Sequence, residues 1–130
     1  MVVVDASCLY EVLIGGPVAE PVRSRLSEDV DHAAPHLVDA EVLSLIRRDH
    51  LRGALDPTAA RQAVEDLEGW PGRRYGHRPL LGRAWELRDA LRAWDAVYVA
   101  LAEALEAPLL TLDRRLAGAP GPRCAIEVLS

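Results

Sequence analysis

The runs VVVD at residues 2–5 and LLTLD at residues 109–113 are short apolar segments that each end in aspartate. Continuous runs of Val and Leu of this length are typical of strands that are buried on both faces of a parallel sheet. In open sheets of this kind, ligands bind beyond the carboxyl ends of the strands. A single aspartate at a strand end is often only turn chemistry. Two such aspartates together favour a functional site: if the strands are neighbours, Asp5 and Asp113 share one crevice.

Strand patterns alternate with helix patterns along the rest of the chain. The predicted strands span residues 2–4, 31–34, 108–112 and 123–129, and the irregular residues 69–76 can hold a short edge strand. The predicted helices span residues 7–14, 17–28, 36–49, 56–67, 79–91 and 95–105. This alternation predicts an α/β fold of three layers, in which helices cover both faces of a short, mostly parallel sheet. The length of 130 residues predicts one domain, residues 1–130.

The composition is that of a globular protein, since half of the residues are hydrophobic and no apolar run is long enough to cross a bilayer. The amino terminus lacks the features of a signal peptide, so we expect a cytoplasmic protein without membrane contact. The formal net charge is −5. This charge does not exclude a nucleic-acid substrate, because a divalent ion at an acidic site would offset much of it. Cys8 and Cys124 match no metal motif and are expected to be buried, reduced residues.

Glu41 lies at the edge of the apolar face of the helix predicted over residues 36–49. Leu37 and Leu45 are one turn before and one turn after it, which brings its carboxylate close to the protein interior. A carboxylate in such a place is costly unless a charged group meets it. Glu41 therefore either reaches water or an arginine such as Arg48, or belongs to a functional site.

Asp95 begins the helix predicted over residues 95–105, whose other positions are apolar on nearly all sides. An acidic residue at a helix amino terminus is favoured by the helix dipole and needs no other role. A buried helix would nevertheless bring Asp95 close to the crevice at the strand ends. The candidate site is therefore made of Asp5, Glu41, Asp95 and Asp113. Four converging carboxylates need a cation to offset their repulsion, and Mg²⁺ or Mn²⁺ with such oxygen ligands can promote hydrolysis of a phosphodiester.

The chain contains no lysine, and this absence distinguishes between two classes of protein that carry aspartates at strand ends. A signalling receiver domain is a doubly wound fold of similar size, but its mechanism needs a lysine beside the phosphorylated aspartate. All 15 basic residues of this chain are arginine. The sequence therefore favours metal-dependent chemistry over phosphoryl signalling.

Four segments of the chain resemble motifs of the PIN-domain family, above all the VapC-type toxins of bacterial toxin–antitoxin pairs. They are VVDAS at residues 3–7, PHLVDAE at residues 35–41, WDAVYVALAE at residues 94–103 and PLLTLDRRL at residues 108–116. The resemblance covers essentially the whole chain, and the motifs occur in the family's order and spacing. It implies a single PIN domain whose acidic quartet falls on Asp5, Glu41, Asp95 and Asp113.

The resemblance also implies an endoribonuclease that coordinates Mg²⁺ or Mn²⁺ with this quartet and cleaves RNA as the toxin of a type II toxin–antitoxin system. The three aspartates are the expected metal ligands, while Glu41 either ligates the metal or orients the attacking water. Ser7 and Thr111 match polar positions that support the carboxylates. The expected partners are a second copy of the chain, in a homodimer, and a small antitoxin protein. The alternative is a catalytically silent PIN-like protein that acts only as a binding partner within an antitoxin complex.

Two positions depart from the family pattern. Arg115 stands two residues after Asp113, where many relatives carry a further Asp or Asn. Whether the site binds one metal ion or two therefore stays open. Residues 91–94, before Asp95, supply no Ser or Thr, although many relatives have one there. The quartet itself is complete.

Residues 70–85 contain four arginines, interleaved aromatic residues and no acidic residue. Such a combination can bind phosphates and stack on single-stranded bases, although an ordinary solvated surface explains it equally well. The candidate RNA-binding residues are Arg73, Arg74, Arg78 and Arg83.

Apolar residues on the first, second and fourth predicted helices are expected to form an exposed groove. An amphipathic antitoxin segment would bind there as a helix in a groove. The residues of this predicted groove are Leu9, Val12, Leu13, Val22, Val64 and Leu67.

Overall fold

The structure, a computed structural model, describes all residues from Met1 to Ser130. Its strands are β1 (Val2–Val4), β2 (His32–Pro35), β3 (Arg73–Tyr75), β4 (Leu109–Thr111) and β5 (Ile126–Val128). Its helices are α1 (Ala6–Ile14), α2 (Ala19–Leu26), α3 (Leu37–Leu51), α4 (Pro57–Glu68), α5 (Leu81–Glu86), α6 (Ala93–Leu105) and α7 (Arg114–Gly118). A 3₁₀ turn (Arg78–Leu80) leads into α5.

The five strands form one sheet in the order β3-β2-β1-β4-β5, and every neighbouring pair is parallel. Val3 pairs with Leu109 and Val4 pairs with Leu110, so the two aspartate-terminated strands are neighbours, which is the condition for Asp5 and Asp113 to share one crevice. The chain runs from β1 outward to β2 and β3, and then returns to the other side of β1 to add β4 and β5. The boundary between β1 and β4 is therefore the switch point of a doubly wound sheet, where ligands bind in such folds.

The sheet lies between two layers of helices. Helices α1 to α4 pack with one another, whereas α5 packs with α6, and α6 also contacts β1, β2 and β4. The three valines of β1 have no exposed surface, as expected for a central strand that is covered on both sides. The three-layer α/β/α architecture predicted from the sequence is confirmed.

The helix predicted over residues 79–91 is shorter in the structure than in the prediction. The α-helical part ends at Glu86, and the chain continues through turns in which Ala90 and Leu91 donate backbone hydrogen bonds to Leu87. Leu80, Leu87 and Leu91 still face inward, because these turns repeat every three or four residues as a helix does. Apolar spacing alone cannot distinguish the two conformations, which explains the error.

Other helix boundaries in the structure differ from the predicted ones for local reasons. Ser7 does not cap α1, since Asp5 holds the cap position and the Ser7 hydroxyl donates to the Asp5 carboxylate instead. Helix α2 begins only at Ala19, because Val18 has non-helical dihedral angles and the Ala19 N–H closes a turn by donating to the Gly16 carbonyl at 3.0 Å. Helix α7 was not predicted, since its five residues are too few to show a helical period.

The apolar groove predicted on the first, second and fourth helices is wrong in part. Leu9, Val22 and Leu67 are only 1%, 0% and 5% exposed, because α1, α2 and α4 pack against their neighbours through these side chains. Val12, Leu13 and Val64 are partly buried at the edge of the core. Three of the six residues are therefore core residues, so the six together do not form the predicted groove.

None of the helices has both the length and the apolar character that a membrane span requires. The longest, α3, has 15 residues and includes charged side chains in its last turns.

Candidate active site

Asp5 follows directly after β1 and is tied to the neighbouring strand β4. Its backbone N–H donates to the carbonyl oxygen of Leu110 at 3.0 Å. The hydroxyls of Ser7 and Thr111 both donate to the same carboxylate oxygen, Oδ2, at 2.9 and 2.7 Å. Two donors on Oδ2 fix the orientation of the carboxylate and leave Oδ1 without a side-chain partner.

Ser7 and Thr111 also hold the backbone that follows β4. The N–H of Leu112 donates to the Ser7 hydroxyl at 3.2 Å, and the N–H of Asp113 donates to the Thr111 hydroxyl at 3.0 Å. Both hydroxyls therefore connect the end of β1 with the end of β4. The proposed role of Ser7 and Thr111 as supporting residues agrees with these contacts.

Glu41 lies on α3 with one carboxylate oxygen enclosed by protein. Its Oε1 is buried and has no hydrogen bond of good geometry, and neither has the buried hydroxyl of Tyr98, which lies close enough to act on the Glu41 carboxylate as a hydrogen-bond donor. Burial is the largest cause that raises the pKa of Glu41; the nearby Tyr98 lowers it, and the charges of Asp5 and Asp95 raise it further. Leaving such a group unpaired is costly, so an unpaired buried carboxylate oxygen points to a functional role.

Asp95 and Asp113 are each paired with an arginine close in sequence. Arg92 Nε donates to Asp95 Oδ2 at 3.3 Å, across one turn at the start of α6. Arg115 binds Asp113 with two nitrogens, Nε and one terminal nitrogen, each at 3.3 Å. The hydrogen bonds from Arg115 are the main reason that the pKa of Asp113 is lowered. These two carboxylates are thus already balanced by positive charge, whereas Asp5 and Glu41 are not.

All four candidate carboxylates line one cleft of about 300 Å³ at the carboxyl ends of β1 and β4. The cleft is lined by Asp5, Ala6, Ser7, Glu41, Ser44, Leu45, Arg92, Trp94, Asp95 and Asp113. The side chains are not oriented around one common point, since no three acidic, histidine or cysteine side chains of the chain are arranged to hold a metal ion. The structure therefore brings the four predicted residues together in one cleft without arranging them as a ligand set.

The chemistry of the cleft nevertheless fits a hard divalent cation. Its polar groups are mainly carboxylate and hydroxyl oxygens, the donors that Mg²⁺ and Mn²⁺ prefer. Burial is also the main cause of the raised pKa of Asp5, against the hydrogen bonds from Thr111 and Ser7, and the charge of Asp95 raises it further. A cation held beside the carboxylates of Asp5 and Glu41 would offset both penalties.

The four arginines of residues 70–85 have different environments. Arg74 is largely buried, forms an ion pair with Asp39 at 2.8 Å and donates to the backbone carbonyls of Trp70, Gly72 and Leu67. Arg83 forms an ion pair with Glu103 at 2.7 Å and donates to the carbonyl of Gly121. The side chains of Arg74 and Arg83 therefore hold the fold together.

Arg73 and Arg78 are exposed, in contrast. Arg73 lies over the ring of Tyr75 at 4.8 Å, and neither arginine forms an ion pair. Of the four candidate RNA-binding residues, only these two present a free guanidinium to solvent.

Sequence reasoning did not assign a role to Arg92, Arg115 or Tyr98. Tyr98 is three residues after Asp95 and so faces the same side of α6, a spacing that could have indicated it. The two arginines stand at or beside the positions where the chain departs from the family pattern. Their carboxylate contacts could be recognised only from the structure.

Comparison with known proteins gives consistent matches. The family model for the PIN domain matches residues 2–122. Ribonuclease VapC1 of Mycobacterium tuberculosis is 43% identical over 129 residues, which cover 98% of this chain and 96% of that protein. The crystal structure of PAE2754 from Pyrobaculum aerophilum superposes with a TM-score of 0.70 at 26% identity, covering 97% of this chain and 82% of that one.

A toxin–antitoxin complex from Klebsiella pneumoniae has the same fold, with a TM-score of 0.66 at 19% identity and coverage of 98% and 97%. The family match spans nearly the whole chain and includes the four carboxylate residues of the cleft, Asp5, Glu41, Asp95 and Asp113. The chain therefore belongs to the PIN-domain family and, within it, to the VapC proteins.

Proposed function

We propose that this chain, as one PIN domain, is an endoribonuclease that depends on Mg²⁺ or Mn²⁺ and acts as the toxin of a type II toxin–antitoxin system. The observation that carries the proposal is the cleft in which Asp5, Glu41, Asp95 and Asp113 meet at the switch point of the sheet. Its similarity to a relative named as a ribonuclease supports RNA as the substrate. The acidic cleft itself supports a cation as the cofactor.

A bound divalent cation would activate water and stabilise the charge on the phosphodiester oxygens during hydrolysis. Asp5, Asp95 and Asp113 would hold this cation, directly or through water. In the reaction, a water oxygen forms a bond to phosphorus and releases a proton to solvent, while the bond from phosphorus to the leaving ribose oxygen breaks. The leaving oxygen ends with a proton from solvent.

The chain's own residues prepare the cleft for this step. Ser7 and Thr111 hold Oδ2 of Asp5, so that Oδ1 is presented to the cleft in a fixed direction. Glu41 lines the cleft, where its carboxylate would ligate the cation or orient the attacking water, while its Oε1 is enclosed by protein. The charges of Arg92 and Arg115 limit the repulsion between the carboxylates before substrate binds.

An antitoxin and a second copy of the chain are the proposed protein partners. A toxin–antitoxin complex with the same fold supports the first of them. The surface between α3 and α4 offers an open groove of about 640 Å³ for an amphipathic segment. It is lined by Asp39, Ala40, Leu43, Val64, Leu67, Glu68 and Arg74. Leu43, 50% exposed, is its most prominent apolar side chain.

Cleavage of single-stranded RNA by the purified protein tests the proposal. We expect internal cuts in buffers that contain Mg²⁺ or Mn²⁺, and none after chelation with EDTA. Sequencing of the RNA ends would then identify the cut site. Absence of cleavage in every buffer would favour the catalytically silent binding partner, and cleavage that persists in EDTA would contradict the metal-dependent mechanism.

A further inference from the structure

Two arginines contact the candidate carboxylates without being part of the acidic set. Arg92 reaches Asp95 from one turn before it, and Arg115 reaches Asp113 from two residues after it. Both arginines are largely exposed, at 59% and 82% of their side-chain surface. They occur at the two places where the sequence departs from the family pattern.

The two guanidinium groups line the same space. A cavity of about 310 Å³ is bounded by Arg92, Asp95, Asp113 and Arg115, with Ala90, Leu91 and Leu116 as the remaining wall. This cavity adjoins the carboxylate cleft, because Arg92, Asp95 and Asp113 line both. A chain that enters the carboxylate cleft from this side passes through a cavity that both arginines line.

Each guanidinium keeps hydrogen-bond donors free. Arg92 uses only Nε in its contact with Asp95, and Arg115 uses Nε and one terminal nitrogen in its contact with Asp113. The other terminal nitrogens have no partner in the protein and are open to the cavity. Guanidinium groups with free, forked donors are well suited to phosphate oxygens.

Both arginines also interact electrostatically with carboxylates that they do not contact. Arg92 also acts on Glu41 and Asp113 through its charge, and Arg115 interacts with the charge of Asp95. One cation already has to share Asp95 and Asp113 with the two guanidinium groups, and a second cation between these carboxylates would add two more positive charges beside them. The arginines therefore hold the position that such a cation would need.

We propose that Arg92 and Arg115 form a phosphate-binding pair that supplies the second positive centre of the active site, so that the site takes a single divalent cation. The pair binds a backbone phosphate of single-stranded RNA next to the phosphodiester that is cut. This inference rests on the proposed function, since it assumes that the adjoining carboxylates act on RNA. It adds two substrate-binding residues that lie outside the acidic quartet.

The salt dependence of binding tests the pair without relying on catalysis. The probe is a fluorescent 2′-O-methyl oligonucleotide, with Ca²⁺ in place of Mg²⁺ and a gel to verify that the probe stays intact. The variant is Arg92→Gln/Arg115→Gln. The matched control is Arg23→Gln/Arg61→Gln, which removes two exposed arginines that also form ion pairs with nearby acids but lie outside the cleft.

We expect the cleft variant to bind the probe roughly tenfold more weakly and to lower the slope of log K against log salt by about 0.7, because the pair contacts one phosphate and each single-strand phosphate contact contributes about 0.7. The control should keep the wild-type slope. Equal slopes for the two double variants would overturn the phosphate-binding role. Both double variants are expected to melt near the wild-type temperature. This measurement would exclude unfolding as the cause of weaker binding.

The number of bound ions is a second, independent readout. Titration of wild type with Mn²⁺ is expected to give one ion per chain, and two ions would contradict the proposal. Cleavage of unmodified RNA by wild type in Mg²⁺ is measured in parallel. If wild type cleaves RNA while the two double variants bind alike, only the role of the arginines is wrong; if wild type does not cleave, the proposed function itself has failed.

Discussion

Glu41 is the residue whose environment departs most from what a carboxylate prefers. One of its oxygens is buried without a partner, and burial is the main cause of its raised pKa. The ionised form is therefore less favourable in the folded protein than in the unfolded chain. Such strain at a functional site reduces stability, and a neutral side chain of the same shape should relieve it.

Glu41→Gln is expected to raise the free energy of unfolding at pH 7.5 in EDTA by about 1 kcal/mol. This corresponds to an increase in melting temperature of about 3–5 °C for a domain of this size. The matched control is Glu68→Gln, since Glu68 is exposed and forms no ion pair. If both variants melt at the same temperature, the Glu41 carboxylate is not strained in the folded protein.

Residue patterns identified the acids of the cleft but not their partners. Asp5 and Asp113 were predicted because two apolar runs end in aspartate, and Glu41 because it interrupts an apolar helix face. Arg92 and Arg115 are exposed residues without any periodic pattern, so only the folded chain shows which carboxylates they contact. The roles of the four acids in catalysis stay predictions.

At the scale of elements, Asp49 joins α1 to the end of α3. It is 5% exposed and accepts hydrogen bonds from the Tyr10 hydroxyl of α1 and from Arg48 at 3.0 Å, and it is paired with Arg52 at 2.9 Å. The hydrogen bond from Arg48 is the first cause, and that from Tyr10 the second, of its lowered pKa. This contact keeps α3, and with it Glu41, in register with α1.

Asp49→Asn is expected to lower the free energy of unfolding at pH 7 by about 1–3 kcal/mol, because it removes the charge from a buried hydrogen-bonded group. A lowered pKa stabilises the fold above the ordinary Asp value of about 4, and this contribution is lost as the pH falls through the lower, folded-state value. The difference in free energy of unfolding between the variant and wild type should therefore become smaller below about pH 4. Chemical denaturation between pH 7 and pH 3.5 measures it, with the exposed Asp89→Asn as the control.

The groove between α3 and α4 gives a prediction about the antitoxin. Leu43→Glu is expected to weaken binding of the antitoxin at least tenfold, because a charge would be buried against an apolar segment. The matched control is Leu51→Glu on the same helix, which is 65% exposed and lies outside the groove. Co-purification and titration of the complex measure the effect. Equal affinity for both variants would show that the antitoxin binds elsewhere.

Element boundaries were predicted less well than element types. The strand at residues 73–75 was expected only as an edge strand within an irregular segment, and it is the edge strand β3 of the sheet. The turns after Glu86 were predicted as helix because they keep Leu87 and Leu91 facing inward. Apolar spacing reports which side of an element faces the core, and it contains little information on where the hydrogen-bond pattern changes.

At the scale of the whole molecule, the order of the strands decides where chemistry can occur. The pairing of β1 with β4 brings together residues that are more than 100 positions apart in sequence, as in the hydrogen bond from Thr111 to Asp5. The sequence predicted a parallel sheet in which Asp5 and Asp113 share a crevice if their strands are neighbours, because both strands are short, largely apolar and followed by aspartate. It could not predict the full order β3-β2-β1-β4-β5, which depends on how the helices pack on the two faces.

Cleavage of single-stranded RNA by Asp95→Asn tests most directly whether the four carboxylates act together as a metal-dependent nuclease. The substitution keeps the shape of the side chain and removes one charged ligand, so the variant is expected to melt near the wild-type temperature. We predict that its cleavage rate in Mg²⁺ falls at least a hundredfold, about 2.7 kcal/mol of transition-state stabilisation, while Asp89→Asn keeps the wild-type rate. An Asp95→Asn protein that cleaves RNA as fast as wild type in Mg²⁺ would contradict the account.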